Sequence, residues 1–176
     1  LYTLGTGVGG GIVLNGDVWV GATGAAGALG HMSIDPHSPR WGCGSIGCVE
    51  QFASATAVAK RYGFGSAKDC FDPARKGDAA ALAVVEWSAE GLAAGVANSI
   101  QVLYPDLVVL AGGMAQAGDL LLDKVRASVR TKVFGVFKDK IRIELTQVPG
   151  DDAGWLGAAL WGARKFETRE IREPTP

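Results

Sequence analysis

The sequence is short of several things. Only 20% of its 176 residues are charged, and the signs balance, with Lys+Arg 17 against Asp+Glu 18. Without a basic excess or a dense basic block, a broad electrostatic face for nucleic acid is disfavoured in these residues. No uninterrupted run of 18 or more apolar residues occurs, which argues against a membrane-spanning helix. Cysteines number only 3, Cys43, Cys48 and Cys70. An odd, small count argues against a disulfide framework and for a reducing compartment, hence the cytoplasm. A signal-peptide pattern and an initial Met are also missing. Leu1-Tyr2-Thr3-Leu4 reads as a strand already under way, so a fragment or a trimmed chain is expected. What is plentiful is apolar residues (48%) and glycine (26 residues, about twice the usual share). The length suits one domain with a real core.

The glycines punctuate a legible order of elements. Leu1–Leu4 reads as a strand, Gly5–Gly11 as a Gly-rich turn, Ile12–Leu14 and Asp17–Val20 as strands around Asn15-Gly16. Asn-Gly between apolar runs is a strong hairpin signal, because both turn residues need positive φ. A short strand is expected at His31–Ile34, with Pro36 and Pro39 excluding helix beyond it. Ser54–Tyr62 reads as helix and Gly63–Gly77 as polar turns. Across Asp78–Tyr104, Leu82, Val85, Ala89, Leu92, Val96 and Ile100 recur at helical spacing. Gly91 and Gly95 each lower helix stability by about 1 kcal/mol against Ala, so close packing against a neighbour is their expected reason. Leu107–Leu110 then reads as a buried strand, Asp119–Arg130 as helix, and Ile141, Ile143 and Leu145 as an alternating strand. Asp151–Phe166 is a last helix capped by Asp151 or Asp152, with a loose charged tail at 167–176. A meander followed by alternating helices and strands indicates a mixed α/β layer fold in one domain.

Two groups of residues carry chemistry. Gly5, Gly7 and Gly10 match G-x-G-x-x-G, but lead into a hairpin instead of a helix, which excludes the dinucleotide fold. The turn with its hydroxyl, Thr6, can still approach phosphate oxygens, and Gly112-Gly113 after the buried strand can face the same nucleotide. On the residues alone, both read more readily as ordinary turns. His31, Cys43 and Cys48 offer three zinc-type ligands where a structural site wants four. His37 is a possible fourth; a zinc site and two free thiols both remain open. The five tryptophans form no stacking platform by their spacing. Trp155 and Trp161 on the last helix are expected to leave an apolar patch that promotes self-association.

Taken in order, Gly5-Thr6-Gly7-Val8-Gly9-Gly10-Gly11, Gly27-Ala28-Leu29-Gly30-His31, Cys43-Gly44-Ser45-Ile46-Gly47-Cys48-Val49-Glu50, Gly112-Gly113 and Asp151-Asp152-Ala153-Gly154 resemble the ROK family of bacterial sugar kinases and sugar-responsive repressors. Within it the glucokinases are most similar, and the likeness runs from Leu1 to about Phe166. The resemblance implies an actin-like, ribonuclease-H-like fold, with residues 1–166 as the larger, C-terminal domain. It implies ATP and Mg²⁺ in the parent enzyme, a hexose substrate (glucose foremost), a place in glycolysis, and a cytoplasmic homodimer. Gly5, Thr6 and Gly7 would meet the nucleotide phosphates, and Gly112 and Gly113 would lie near adenosine. His31 would touch a sugar hydroxyl and ligate zinc with Cys43 and Cys48. Glu50 would accept sugar hydroxyls, a role that suits a carboxylate chemically.

Three departures stand out. Trp41 replaces a zinc-ligating cysteine of the family. Ala28 replaces a sugar-binding Glu, a loss of roughly 1.5–3 kcal/mol if that contact was charge-assisted. The family's catalytic Asp base would precede Gly5, and neither Asp17 nor Asp35 is a convincing substitute. Phosphoryl transfer needs such a base as well as positioned phosphates. The chain alone is therefore expected to be inactive as a kinase. The alternatives are the sugar-sensing half of a ROK repressor, or a degenerate remnant without ligand.

Overall fold

In the computed structural model, residues 1–138, 140–148 and 152–170 are described. Strand β1 (Tyr2–Leu4) turns back through Gly5–Gly7 into β2 (Val8–Gly10), pairing Thr3 with Gly9. Part of the expected Gly-rich turn is thus strand. β3 (Val13–Leu14) and β4 (Asp17–Val18) form the predicted hairpin. Asn15 at φ 53° and Gly16 at φ 79° put both central residues in the left-handed region.

Four helices, three short and one long, follow one another before β5. They are α1 (Glu50–Ala53), α2 (Ala55–Tyr62), α3 (Ala67–Arg75) and α4 (Ala79–Leu103). Ser54 Oγ accepts the Ala57 N–H and Asp78 Oδ1 accepts the Ala81 N–H, capping α2 and α4. β5 (Leu107–Ala111), α5 (Asp119–Lys132), β6 (Arg142–Leu145) and α6 (Asp152–Glu170) complete the order. The main sheet runs β2-β1-β5-β6, with β1, β5 and β6 parallel and β2 antiparallel at the edge.

α4 is the centre of the core. Val85, Ala89, Leu92, Val96 and Ile100 are buried, so the predicted stripe is the packed face. α4 is long and apolar enough to cross a membrane by composition, but its buried face marks it as a core helix here. Tyr2, fully buried beneath it, shares a 2.7 Å hydrogen bond with Ser99.

Three expectations need correction. Residues 63–77 are not mostly turn: α3 lies there, started by a reciprocal Ser66–Asp69 capping box, with Ala67, Cys70, Phe71 and Ala74 buried. No strand spans His31–Ile34. His31 ends a 3-10 turn, Leu29–His31, that lies against β2, and only Ser33 makes a bridge, to Cys48. The tail's first residues, 167–170, are helical. Asp151, one of the two expected caps, and residues 171–176 lie outside the described residues.

Candidate functional site

The position of Glu50 begins in α4. A Cβ on Gly95 would lie 2.5 Å from Val49 Cγ2, and one on Gly91 would collide with Phe52. The two glycines therefore let α1 settle directly on α4, which is the close packing their cost implied. α1 presents Glu50 as its first residue. Glu50 Oε2 accepts the Val8 N–H at 3.0 Å, and Oε1 accepts the Trp41 indole N–H at 3.0 Å. A Cβ on Gly7 would stand 2.5 Å from Oε2, so the β1–β2 turn and this carboxylate touch because residue 7 is glycine.

The segment between His31 and Glu50 has little core of its own and is fixed by hydrogen bonds. Ile34 N–H donates to Gly47 O at 2.7 Å, and Val49 N–H to Met32 O at 3.0 Å. Asp35 accepts the Ser38 hydroxyl and the His37 N–H, which hold its carboxyl below the usual carboxylate range. Trp41 N–H donates to Ser45 O at 2.8 Å, closing a small loop around Cys43. Lys60 sits over the Trp41 ring at 5.4 Å, a cation–π contact from α2.

His31, Cys43 and Cys48 do come together, with their donor atoms all within 4.8 Å of one another. The two sulfurs are 3.6 Å apart. Sulfur ligands about 2.3 Å from a tetrahedral zinc would be separated by roughly 3.8 Å, so this trio matches three corners of a site. Among the described residues no fourth donor joins the cluster. Trp41 has no ligand atom and gives its N–H to Glu50, and His37 is not in the cluster. The donor set therefore does not fit a closed four-ligand structural site. Hydrogen bonding from Ser45 pulls the exposed Cys43 thiol down, whereas burial pushes Cys48 up.

The β1–β2 turn also borders a cleft of about 430 Å³. Gly5, Thr6 and Gly113 line it, with Phe71 and Met114 as its apolar wall and Ser66, Lys68 and Arg75 at its polar rim. Gly7 faces Glu50 instead, and Gly112 sits beneath β1, where a Cβ would be 2.6 Å from Leu4 O. At φ 89° Gly112 also holds a left-handed backbone that bends the chain from β5 into this wall. α3, and with it Ser66, Lys68 and Arg75, was missed in the sequence. The signal was present as Ser66-x-x-Asp69 before apolar residues at positions 67, 70, 71 and 74.

Asp17 and Asp35 are both engaged elsewhere. Asp17 Oδ1 accepts the Val18 N–H and the Trp161 indole N–H, and Asp35 closes its own turn. Trp155 and Trp161 are exposed at 62% and 39%, with Leu160 between them at 64%.

Comparison with known proteins places these features in context. The sequence model of the ROK family matches residues 1–165. A glucokinase of Thermotoga maritima is 35% identical over 176 aligned residues, 89% of this chain and 55% of that protein. An N-acetylmannosamine kinase of Yersinia pestis is 40% identical over 163 residues, 90% of this chain and 54% of that protein. The chain thus spans about half the length of the curated relatives it matches. Among solved structures, a ROK family glucokinase from Streptomyces griseus in complex with glucose and AMPPNP superposes with a TM-score of 0.82. It is 30% identical and covers 90% of this chain and 58% of its own. A ROK family transcriptional regulator, a homologue of the E. coli MLC protein, gives a TM-score of 0.72 at 28% identity, covering 82% of this chain and 40% of its own.

Proposed function

Because this chain belongs to the ROK family, we propose that it forms the C-terminal, sugar- and nucleotide-contacting half of an ATP-dependent hexose kinase of the glucokinase type. One observation carries the reading. The Gly5–Gly7 turn abuts the Glu50 carboxylate at Gly7 and lines the 430 Å³ cleft with Gly5 and Thr6. A phosphoryl group held at this turn from the cleft would lie next to a sugar held by Glu50. Thr6 and the backbone N–H groups of the turn meet phosphate oxygens, with Mg²⁺ balancing their charge. Phe71 and Met114 give the base an apolar wall, and Gly113 lets the backbone come close to the nucleoside.

Glu50 accepts two sugar hydroxyls, and the exposed His31 donates or accepts a third hydrogen bond. Ala28 contributes no such contact. Glucose is the first sugar to test, and N-acetylmannosamine the second. The base that takes the hydroxyl proton is not one of the engaged carboxylates Asp17 and Asp35; by the family likeness it is an Asp that precedes the Gly5 turn. The parent enzyme works in the cytoplasm as a homodimer, a reading that rests on family likeness.

Calorimetric titration of the chain with AMPPNP–Mg²⁺ and with glucose tests the proposal. Binding of both, with no steady glucose phosphorylation from ATP, is the expected result. Binding of neither overturns it. The sugar-sensing half of a transcriptional regulator is the second reading, favoured by Ala28 and Trp41. It predicts glucose binding without AMPPNP binding.

A further inference from the structure

Trp41 occupies the sequence position at which the family resemblance implies a fourth zinc donor, yet its side chain is engaged by other partners. Its indole N–H is 3.0 Å from Glu50 Oε1, and Lys60 reaches over its ring from α2. Its backbone N–H closes the loop onto Ser45 O at 2.8 Å, and its carbonyl accepts the Gly44 N–H at 2.9 Å. Arg40, its neighbour, bridges to Ile46. The ring is thus anchored at both ends, to the loop by its backbone and to α1 by its indole.

A carboxylate offers about four lone-pair directions. In Glu50, Val8 takes one on Oε2 and Trp41 takes one on Oε1. With one N–H on each oxygen, the plane of the carboxylate is set, and one direction on each oxygen remains for an incoming hydroxyl. Val8 alone would leave the group free to rotate about its last bond.

We propose that Trp41 is a positioning residue for sugar recognition: its indole N–H fixes Glu50 and ties the His31–Cys48 segment to α1, so that the segment is held without a bound metal. The inference rests on the proposed sugar site for its consequence, but the fixing of Glu50 is measurable without any sugar. It also accounts for the incomplete donor set, since a segment anchored through Trp41 needs no fourth ligand.

The test uses the 176-residue chain labelled with ¹⁵N, with the Trp41 indole resonance identified by its disappearance in Trp41→Phe. In the Trp41 background, Glu50→Ala should move that resonance strongly, whereas EDTA should leave it in place. Trp41→Phe keeps an aromatic ring and removes the N–H. It should weaken glucose binding roughly tenfold, the size expected for a hydrogen bond to a charged group, while amide resonances outside the His31–Glu50 segment stay where they are in the parent chain. Trp41→Cys should bind added zinc chloride at least tenfold more tightly than the parent chain, because it completes the donor set.

An indole resonance indifferent to Glu50→Ala overturns the inference. So does a parent chain from which EDTA removes one equivalent of zinc while shifting that resonance. If no variant binds glucose but the resonance responds to Glu50→Ala and not to EDTA, the sugar site fails while the Trp41–Glu50 anchor stands.

Discussion

The helical core and the His31–Glu50 segment are held by different physics. Around α4, position follows from burial: Leu92, Val96 and Ile100 are almost without exposure, and their neighbours on α1, α3 and α5 leave no room for alternatives. In the segment, His31, Ser33, Cys43 and Ile46 are exposed, and a handful of hydrogen bonds set the path. Apolar packing tolerates many side chains of similar size, whereas a hydrogen-bonded loop depends on single donors and acceptors. The two regions meet at α1, which is packed by α4 and carries Glu50. Stability is therefore concentrated on one side and the proposed sugar recognition on the other.

The sharpest way to separate them is Leu92→Ala. It should lower unfolding free energy by about 3 kcal/mol in urea titration, while glucose affinity measured under native conditions stays unchanged. A matching fall in affinity would show that the regions are not separable. Gly91→Ala probes their junction. Ala favours helix by about 1 kcal/mol, but the added methyl runs into Phe52, and overpacking costs about 1–3 kcal/mol. A net loss of stability together with weaker glucose binding is expected. A gain of about 1 kcal/mol would mean that α1 yields freely.

The smallest effect is a difference in pH response. Burial pushes Tyr2 up to about 12, only partly offset by its bond to Ser99. Its contribution is complete below the unfolded value of about 10, and is lost as pH rises through about 12. Asp35 has a lowered folded value, caused first by the Ser38 hydroxyl and then by the His37 N–H. Its contribution is present above the ordinary value of about 3.9 and is lost as pH falls below it. Base should therefore loosen the core first, and acid the segment first. Amide exchange at His37 against that in α4, followed at both pH extremes, checks this; identical midpoints in the two regions would refute it.

Legibility in the sequence follows the same division. The α4 stripe, the Asn15–Gly16 hairpin, β5 and α5 were readable because periodic burial and turn chemistry leave local patterns. α3 was obscured by its flanking glycines and Pro73, although its capping box and apolar spacing were present. The segment around His31 has no period to read; ligand chemistry grouped His31, Cys43 and Cys48, and only the resemblance to a family added Glu50 to them. That Gly5, Thr6 and Gly113 share a cleft was foreseeable as two turns facing one ligand; that Gly7 serves Glu50 instead was not. Nor was the partner of Trp41, because a hydrogen bond between residues 41 and 50 depends on how a non-repetitive loop folds back.

The 3-10 turn that ends in His31 has one more consequence. It lies against β2, the outer strand of the main sheet. A Cβ on Gly30 would run into the Val8 carbonyl, and one on Gly10 would come within 2.8 Å of Leu29 Cβ. An uncovered edge strand is a template for strands of other chains, and short edge strands under a covering loop are a common protection against this. The turn that opens the proposed sugar-binding segment therefore also shields the sheet. Damage to it would be felt as insolubility during expression, before any loss of ligand binding could be measured.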